Sequence, residues 1–230
     1  MTYLFEVADV PGVTVLGEPD CFPIGRIFCV GRNYEAHATE MGFKVDREAP
    51  FYFNKAASTF VASGSTIPYP PGTSNYHYEM ELVVAIGKQA FQISEAEAGS
   101  IIYGFACGLD MTRRDLQLVA REKGRPWDLG KDFEQSAVVA PITKAAQFAI
   151  ENQRISLSVN GEIKQDQVLA DLVWSVPELI ADLSRFYHLA PGDLIFTGTP
   201  AGVGPVVAGD TLEGTIDGLT PVQLVIGPGE

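Results

Sequence analysis

The stretch YHYEMELVVAIG (76–87) sets the character of the fold. Its second half, LVVAIG, is a continuous apolar run rich in β-branched residues, which predicts a buried strand. Two carboxylates, Glu79 and Glu81, stand at the start of that run. Side chains two positions apart on a strand project from one face, so the two acids should lie together, where burying charge is costly. Either a bound cation or a solvated strand end would explain the pair.

Extended segments of the same kind recur along the chain. They are rich in β-branched or aromatic residues and are bounded by Gly, Pro or Asp. The predicted strands are RIFCVG (26–31), ELVVAIG (81–87), IIYGFACGLD (101–110), ISLSVNGEIKQ (155–165), DLIFTG (193–198) and PVQLVIG (221–227). The Asn160-Gly161 pair in the fourth segment is the strongest hairpin signal of the sequence.

Helical patterns are fewer and shorter. The predicted helices are NYEAHATEMG (33–42), TRRDLQLVAREKG (112–124) and SVPELIADLSRFY (175–187). In the second, the spacing from Thr112 to Asp115 resembles a capping box. Residues 1–20 form a short lead, and no internal repeat or low-complexity linker follows. We therefore predict one β-rich α+β domain over residues 21–230.

The composition is that of an acidic globular protein. The 230 residues are 46% hydrophobic and 20% charged, with a formal net charge of −13 at pH 7. This charge disfavours non-specific binding of nucleic acid or of an anionic membrane, and no segment is apolar for long enough to form a membrane helix. The acidic N-terminus is unlike an export signal, so we expect a cytoplasmic protein. An anionic ligand would need a local cluster of cations.

The three cysteines, Cys21, Cys29 and Cys107, lie far apart in apolar contexts and have no CxxC spacing. This pattern predicts reduced residues of the core. A catalytic thiol is the alternative, but the sequence offers it no supporting partner nearby.

Asp110 ends another predicted strand and adds a third carboxylate to Glu79 and Glu81. A set of three carboxylates favours a hard ion, Mg²⁺ or Mn²⁺, over Zn²⁺. The spacing is equally compatible with a solvated strand end and an Asp110 that only precedes a helix. His77, inside the opening stretch, is expected to be a structural neighbour.

His37 and Glu40 are three positions apart on a predicted helix and therefore share a face. A carboxylate beside an imidazole orients the ring and raises its basicity, which would make the pair a base for deprotonating water. The alternative is an exposed helix with an incidental His–Glu pair.

Two lysines and a glycine-rich loop could meet negative charge. Lys55 follows the aromatic run FYFN, and Lys131 follows a loop that contains Trp127. A lysine against an apolar wall can stabilise an anionic intermediate, although it can also extend to water. In GDLIFTGTPAGVGPV (192–206), backbone N–H groups and the hydroxyls of Thr197 and Thr199 could bind an anion.

Taken in order, these segments resemble the fumarylacetoacetate hydrolase family. The resemblance runs from about residue 26 to the C-terminus through CVGRNYEAHATEMG, FYFNKAAS, YHYEMELVVAIGK, GFACGLDMTRRDLQ, KGRPWDLGKDFEQSAVVAP, VNGEIKQ and GDLIFTGTPAGVGPV. It implies a mixed β-sandwich roll with a few short helices, assembled as a homodimer or a higher oligomer, of which we expect the homodimer. Ala56 departs from the pattern, because many members have proline there.

The resemblance also implies roles for individual residues. The implied metal ligands are Glu79, Glu81 and Asp110, the implied catalytic residues are His37, Glu40 and Lys131, and the implied substrate contacts are Lys55, Arg114, Gln117 and Thr199. The expected cofactor is Mg²⁺ or Mn²⁺. The expected substrate is a small anionic 2-oxo acid.

The reaction implied is hydrolysis of the C–C bond of an acylpyruvate, with fumarylpyruvate of gentisate-type aromatic catabolism expected first. An oxaloacetate decarboxylase or a 2-oxo acid isomerase or hydratase would use the same constellation. A non-enzymatic metal- or ligand-binding protein would have lost the His–Glu pair or the lysines. Residues 42–51 would form either a lid ordered by substrate or a plain surface loop.

Overall fold

The computed structural model describes residues 4–6, 8–42 and 47–229, in which extended chain dominates. The strands are β1 (Gly12–Val13), β2 (Phe22–Pro23), β3 (Ile27–Gly31), β4 (Phe51–Lys55), β5 (Phe60–Ala62), β6 (Ser65–Tyr69), β7 (Tyr76–Tyr78), β8 (Met80–Ile86), β9 (Ile102–Asp110), β10 (Thr112–Arg113), β11 (Ala137–Val139), β12 (Thr143–Lys144), β13 (Arg154–Val159), β14 (Glu162–Val168), β15 (Leu194–Phe196), β16 (Gly204–Val206), β17 (Thr211–Ile216) and β18 (Val222–Gly229). The α-helices are α1 (Glu35–Glu40), α2 (Glu95–Ala98), α3 (Arg114–Glu122), α4 (Asp128–Lys131) and α5 (Val176–Phe186). None of the described helices has the length and apolar content needed to cross a membrane.

Two large sheets organise these elements. The first has eight strands in the order β4-β3-β15-β8-β9-β11-β5, with β12 also paired to β9. The second has five, in the order β14-β13-β17-β18-β6, and a three-stranded sheet, β10-β7-β16, lies beside them. Most neighbours are antiparallel, but β15-β3, β11-β5 and β18-β6 are parallel. The predicted α+β class, with mixed sheets and a few short helices, is confirmed.

Strand β8 is buried along its whole length, which explains why its sequence is a continuous apolar run rather than an alternating one. Leu82 and Val84 pack in the larger core, together with residues of the five-stranded sheet. Val83 and Ala85 face the opposite way, into a second core that also contains Val13. The opening stretch therefore lies at the centre of the molecule.

The predicted strands are confirmed to within three residues at their ends. The segment 155–165 folds as the β13–β14 hairpin, whose turn residues Asn160 and Gly161 have φ of 51° and 81°. Two successive positive φ angles are what a two-residue type I′ turn requires. The three predicted helices are also present, each shorter than predicted.

The predicted capping box at Thr112 is wrong. Helix α3 begins at Arg114 and has no side-chain cap, while Thr112 pairs with His77 in strand β10. The Thr112 hydroxyl is engaged elsewhere, since it accepts a hydrogen bond from Lys131 Nζ at 2.7 Å.

The prediction that all three cysteines belong to the core is wrong for Cys21. Cys29 and Cys107 are buried in β3 and β9, but Cys21 is exposed. The short β1–β2 pair covers the second core with Val13 and Phe22, which leaves Cys21 on the outer side.

The predicted lead, residues 1–20, makes contacts with the rest of the chain. Val13 and Val15 are buried in the second core, and β1 pairs with β2. A domain boundary at residue 20 stays a prediction. Of the predicted lid, 42–51, residues 43–46 lie outside the described residues.

Candidate active site

Three carboxylates meet where β8 and β9 pair. Glu81 lies on β8, Asp110 ends β9, and Glu79 is the single residue between β7 and β8. Asp110 N donates to Glu79 O at 2.9 Å, which places the two residues opposite each other. One oxygen of each carboxylate lies within 4.8 Å of the others. The exposed fractions of Glu79, Glu81 and Asp110 are 4%, 2% and 0%, which excludes a solvated strand end.

Three buried cations accompany these carboxylates. Lys131 Nζ lies 2.6 Å from Glu79 Oε2 and 2.6 Å from Asp110 Oδ2. Lys55 Nζ lies 2.9 Å from Asp110 Oδ1, and Arg114 Nη2 lies 2.5 Å from Glu79 Oε1. Glu79 and Asp110 are thus each paired with two buried bases, as charge in a dry interior requires, whereas none of these bases pairs with Glu81.

The two glutamates have opposite pKa shifts. Burial by itself would raise the pKa of Glu79, but the charges of Lys131 and Arg114 outweigh it and hold that pKa far below its usual range. Burial raises the pKa of Glu81 well above its usual range, and the charges of Asp110 and Glu79 raise it further. A cation beside Glu81 would favour its ionised form.

This donor set fits a hard divalent ion. Asp110 Oδ1 is buried and accepts no well-aligned hydrogen bond from any described residue, although Lys55 lies near it. Glu81 is crowded by two further carboxylates, and its charged form is disfavoured. Mg²⁺ and Mn²⁺ prefer carboxylate oxygens and would relieve both conditions. Glu79, Glu81 and Asp110 are therefore the residues that could hold such an ion.

Arg114 is held in place from three sides. Besides its contact with Glu79, its Nη1 donates to Gln117 Oε1 at 2.5 Å and its Nε donates to His77 Nδ1 at 3.4 Å. Burial, followed by the charge of Arg114, lowers the pKa of His77 to about 4. The neutral ring can then accept a hydrogen bond from Arg114 Nε through its Nδ1 atom. His77 is therefore a structural neighbour that orients this cation.

His37 and Glu40 lie together on α1, with 3.3 Å between His37 Nδ1 and Glu40 Oε2. His37 is only 7% exposed, whereas Glu40 is exposed. Burial lowers the pKa of His37 and outweighs the charges of Glu79 and Glu40, which raise it. The ring is therefore neutral near pH 7. With Nδ1–H donated to Glu40, the Nε2 lone pair is the basic one.

One cavity brings these groups together. Its wall includes His37, Glu79, Glu81, Arg114, Gln117, Lys131 and Thr199, together with Arg32, Arg121, Phe53 and Trp127. The Trp127 ring lies 5.8 Å from that of Phe53, which forms an aromatic side. Lys55 lies behind the wall, where Nζ donates to Ser136 Oγ at 2.9 Å.

The loop that follows β15 joins the metal-ligand set to the His–Glu pair. Gly198 N donates to Glu81 Oε2 at 2.7 Å, and Gly202 N donates to Glu40 Oε2 at 3.2 Å. Thr199, between them, lies in the cavity wall. Two of the backbone N–H groups predicted to bind an anion thus bind the protein's own carboxylates.

Gly202→Ala should destabilise the protein and displace Glu40. Gly202 has φ of 95°, and a Cβ there would lie 2.0 Å from Lys164 O. The backbone angle alone costs an alanine about 1–2 kcal/mol, and the overlap adds about 1–3 kcal/mol. Gly209, with φ of 97° and nothing within 4 Å of its ideal Cβ, provides the matched control. Denaturant unfolding should show the larger loss for Gly202→Ala; equal losses would mean that the close packing on β14 is unimportant.

All ten predicted site residues lie in or directly behind this one cavity. Lys55 was expected to contact the substrate, but it lies behind the cavity wall, against Asp110. A direct contact between Lys55 and the substrate stays a prediction, as do the roles assigned to the other residues. Sequence reasoning missed Arg32, Arg121 and Trp127 in the wall, because single residues in loops and on short helices carry no periodic signal.

Residues 26–226 match the family described as "Fumarylacetoacetate (FAA) hydrolase C-terminal". The chain belongs to this family, which confirms the family membership predicted from its motifs.

Individual members of the family are similar to this chain over most of its length. The chain is 57% identical over 192 residues to a fumarylpyruvate hydrolase of Ralstonia sp, a match that covers 83% of this chain and 100% of the relative. It is 38% identical over 199 residues to an oxaloacetate tautomerase of Escherichia coli (strain K12), covering 86% of this chain and 90% of the relative. A solved structure of fumarylpyruvate hydrolase from Pseudomonas aeruginosa in complex with Mn²⁺ and pyruvate superposes with a TM-score of 0.95 at 48% identity, covering 99% of this chain and 100% of that one.

Proposed function

We propose that this protein is a metal-dependent hydrolase of acylpyruvates that cleaves fumarylpyruvate to fumarate and pyruvate. The observation that carries the proposal is one cavity lined by both the carboxylate cluster and the His37 base. An ion site can activate a 2-oxo acid, and a base beside it can deliver water, which a decarboxylase or tautomerase does not need. The 57% identical relative and the neighbour solved with Mn²⁺ and pyruvate support the same choice.

The charges of the site favour a substrate with two carboxylates. With Glu81 ionised, which a bound cation favours, the charges of the buried acids Glu79, Glu81 and Asp110 and of the buried bases Lys55, Arg114 and Lys131 sum to zero. A divalent cation would add two positive charges, and the two carboxylates of fumarylpyruvate would balance them. Uncompensated charge in a buried site is costly, so a dianion fits this cavity better than a monoanion.

Hydrolysis adds water across the C–C bond, so that the acyl carbon gains a hydroxyl and the pyruvyl carbon gains a proton. When bound, Mg²⁺ or Mn²⁺ would supply positive charge that polarises the 2-oxo acid. His37 accepts the proton of water through Nε2, while Glu40 holds the ring through Nδ1. The hydroxide attacks the distal carbonyl, and Lys131 stabilises the negative charge that develops there.

The remaining polar groups bind the substrate or hold the metal ligands in place. Arg114, Gln117 and Thr199 line the cavity and donate hydrogen bonds to the oxygens of the substrate. Lys55, behind the wall, holds Asp110 in place.

A substrate panel tests the proposed function. Fumarylpyruvate, maleylpyruvate, acetylpyruvate and oxaloacetate would be incubated with the Mn²⁺-loaded enzyme, with loss of enol absorbance followed and products identified. We expect the highest kcat/KM for fumarylpyruvate, with fumarate and pyruvate released, and a lower value for acetylpyruvate, which lacks the distal carboxylate. Rapid tautomerisation or decarboxylation of oxaloacetate without cleavage of fumarylpyruvate would favour the activity of the more distant relatives instead.

The pH profile should report the lowered pKa of His37. The base form of His37 is present above its pKa, which is lower than the ordinary imidazole value of 6.5. As pH falls, kcat/KM should therefore remain on its plateau past pH 6.5 and decrease only in more acidic solution. Because Glu40 raises the pKa of His37, Glu40→Gln should move this acidic limb to lower pH. A limb centred above 6.5, or an upward move in Glu40→Gln, would contradict the assignment.

The proposal extends to assembly and location. The family resemblance and the likeness to the fumarylpyruvate hydrolase of Ralstonia sp support a cytoplasmic homodimer that uses Mg²⁺ or Mn²⁺. Light scattering on the purified protein should give twice the chain mass of 24.8 kDa. A mass equal to that of one chain would remove the dimer from the proposal.

A further inference from the structure

Strand β14 carries one buried residue, Gln165, between exposed neighbours. Leu157 pairs with Gln165, and Ser158 pairs with Ile163, so Lys164 is an extra residue in the ladder. Such a bulge reverses the side from which the following side chains project. Ile163 is therefore 55% exposed, and the polar Gln165, at 0%, is the residue directed inward. A buried polar side chain in place of an apolar one needs a reason.

Gln165 touches both halves of the active site. Its Oε1 accepts a hydrogen bond from Met80 N at 3.0 Å, and Met80 is the residue between Glu79 and Glu81. Its Nε2 donates to Thr199 Oγ1 at 2.8 Å and to Pro200 O at 2.7 Å. Both amide protons and one lone pair of Oε1 are thus in use, and the amide orientation is set because Met80 N is a donor and Pro200 O an acceptor.

These bonds determine where the Thr199 proton goes. A hydroxyl has one proton, and Thr199 Oγ1 already accepts from Gln165, so its O–H must be directed away from Gln165. Among the described residues, none accepts that proton. Thr199 is 3% exposed and lines the cavity next to Gly198, which binds Glu81. The proton is therefore available to an acceptor inside the cavity, at its metal-ligand end.

We propose that Gln165 is a positioning residue for the reaction, which orients the Thr199 hydroxyl as a hydrogen-bond donor to the carboxylate of the pyruvyl group. Gln165 does so while it holds strand β8 between the two glutamates, so the donor and the metal ligands keep a fixed separation. The inference rests on the proposed function, since it needs a 2-oxo acid at this end of the cavity. It places a determinant of substrate binding on the five-stranded sheet, outside the cavity wall.

A double-mutant cycle with Thr199 tests the inference. Gln165→Met keeps the side-chain volume and removes the donor, and Thr199→Val removes the hydroxyl. The Kd of pyruvate for the Mn²⁺-loaded protein would be measured by calorimetry, alongside the Kd of Mn²⁺ alone and the KM and kcat for fumarylpyruvate. Gln167→Met, on the same strand but outside the wall, is the matched control.

We expect each single change to raise the Kd of pyruvate and the KM about tenfold, the size of one hydrogen bond to a charged group. In the Thr199→Val background, Gln165→Met should add less than about threefold, because the hydroxyl it orients is gone. Gln167→Met should change neither constant. If Gln165→Met fails to fold, Gln165→Glu takes its place in the same cycle. Its carboxylate would accept a hydrogen bond from the Thr199 hydroxyl and so turn that proton away from the substrate. Any effect of the added charge alone would persist in the Thr199→Val background.

Full multiplication of the two effects, or an unchanged Kd in Gln165→Met, would overturn the inference. Binding of pyruvate by the unaltered protein separates this failure from that of the proposed function. If the unaltered protein binds no pyruvate, the proposed function fails and this inference fails with it.

Discussion

Glu81→Gln should abolish binding of a divalent metal and lower kcat for fumarylpyruvate about a thousandfold, because a bound ion contributes several kcal/mol to such a reaction. The amide has the shape of the carboxylate and can still accept the hydrogen bond from Gly198 N. It removes one charge and one strong ligand. The fold should therefore persist while the ion is lost.

Thermal unfolding separates these two effects. Mn²⁺ at about a hundred times its Kd should stabilise the unaltered protein by about 2.7 kcal/mol, or raise Tm by about 5–10 °C, and should leave Glu81→Gln unmoved. Burial raises the pKa of Glu81, so the folded protein is more stable when Glu81 is protonated and loses stability as pH rises. Glutamine stays neutral at every pH. At pH 8 and without metal, Glu81→Gln should therefore unfold at a higher temperature than the unaltered protein. Glu95→Gln, at an exposed position, is the control. A full Mn²⁺ shift in Glu81→Gln would remove this residue from the ion site.

His37→Ala should lower kcat about 10²- to 10⁴-fold with little change in KM, since it removes the general base but not the groups that bind the substrate. The Mn²⁺-induced rise in Tm should be retained, because His37 is not one of the three carboxylates. Glu40→Gln should have a smaller effect, as it leaves the imidazole in place and removes only the group that orients it.

His188→Ala controls for the loss of an imidazole as such. His188 is exposed and stacks on Phe91, with 4.0 Å between ring centroids. Its removal should leave kcat within about twofold of the unaltered value, the range of an uninvolved surface change. An intact, metal-loaded His37→Ala enzyme with unchanged kcat would contradict the proposed base.

The carboxylate cluster could be predicted because its determinants are local. Alternation along a strand places Glu79 and Glu81 on one side, and Asp110 follows once β8 and β9 are taken as neighbours. The His37–Glu40 pair likewise depends only on helical spacing. What the spacing left open was burial, which decides between a solvated strand end and an ion site and which only the packed structure supplies.

Other features depend on long-range pairing that no local pattern reports. Thr112 has the spacing of a helix cap, but pairing with β7 places it in a strand. Lys131 reaches the carboxylates from a four-residue helix too short to show periodicity. Gln165 faces inward only because of the bulge at Lys164; regular alternation would have placed Ile163 and Gln165 on the same side.

The buried carboxylates are proposed to hold a divalent ion that the protein uses to hydrolyse fumarylpyruvate. The most direct test is turnover of fumarylpyruvate by protein stripped with EDTA, before and after Mn²⁺ or Mg²⁺ is restored, with fumarate and pyruvate quantified. The stripped protein should be inactive, and the restored protein should release the two products in equal amounts. Full activity without metal, or consumption of fumarylpyruvate by the restored protein without release of fumarate and pyruvate, would contradict the claim.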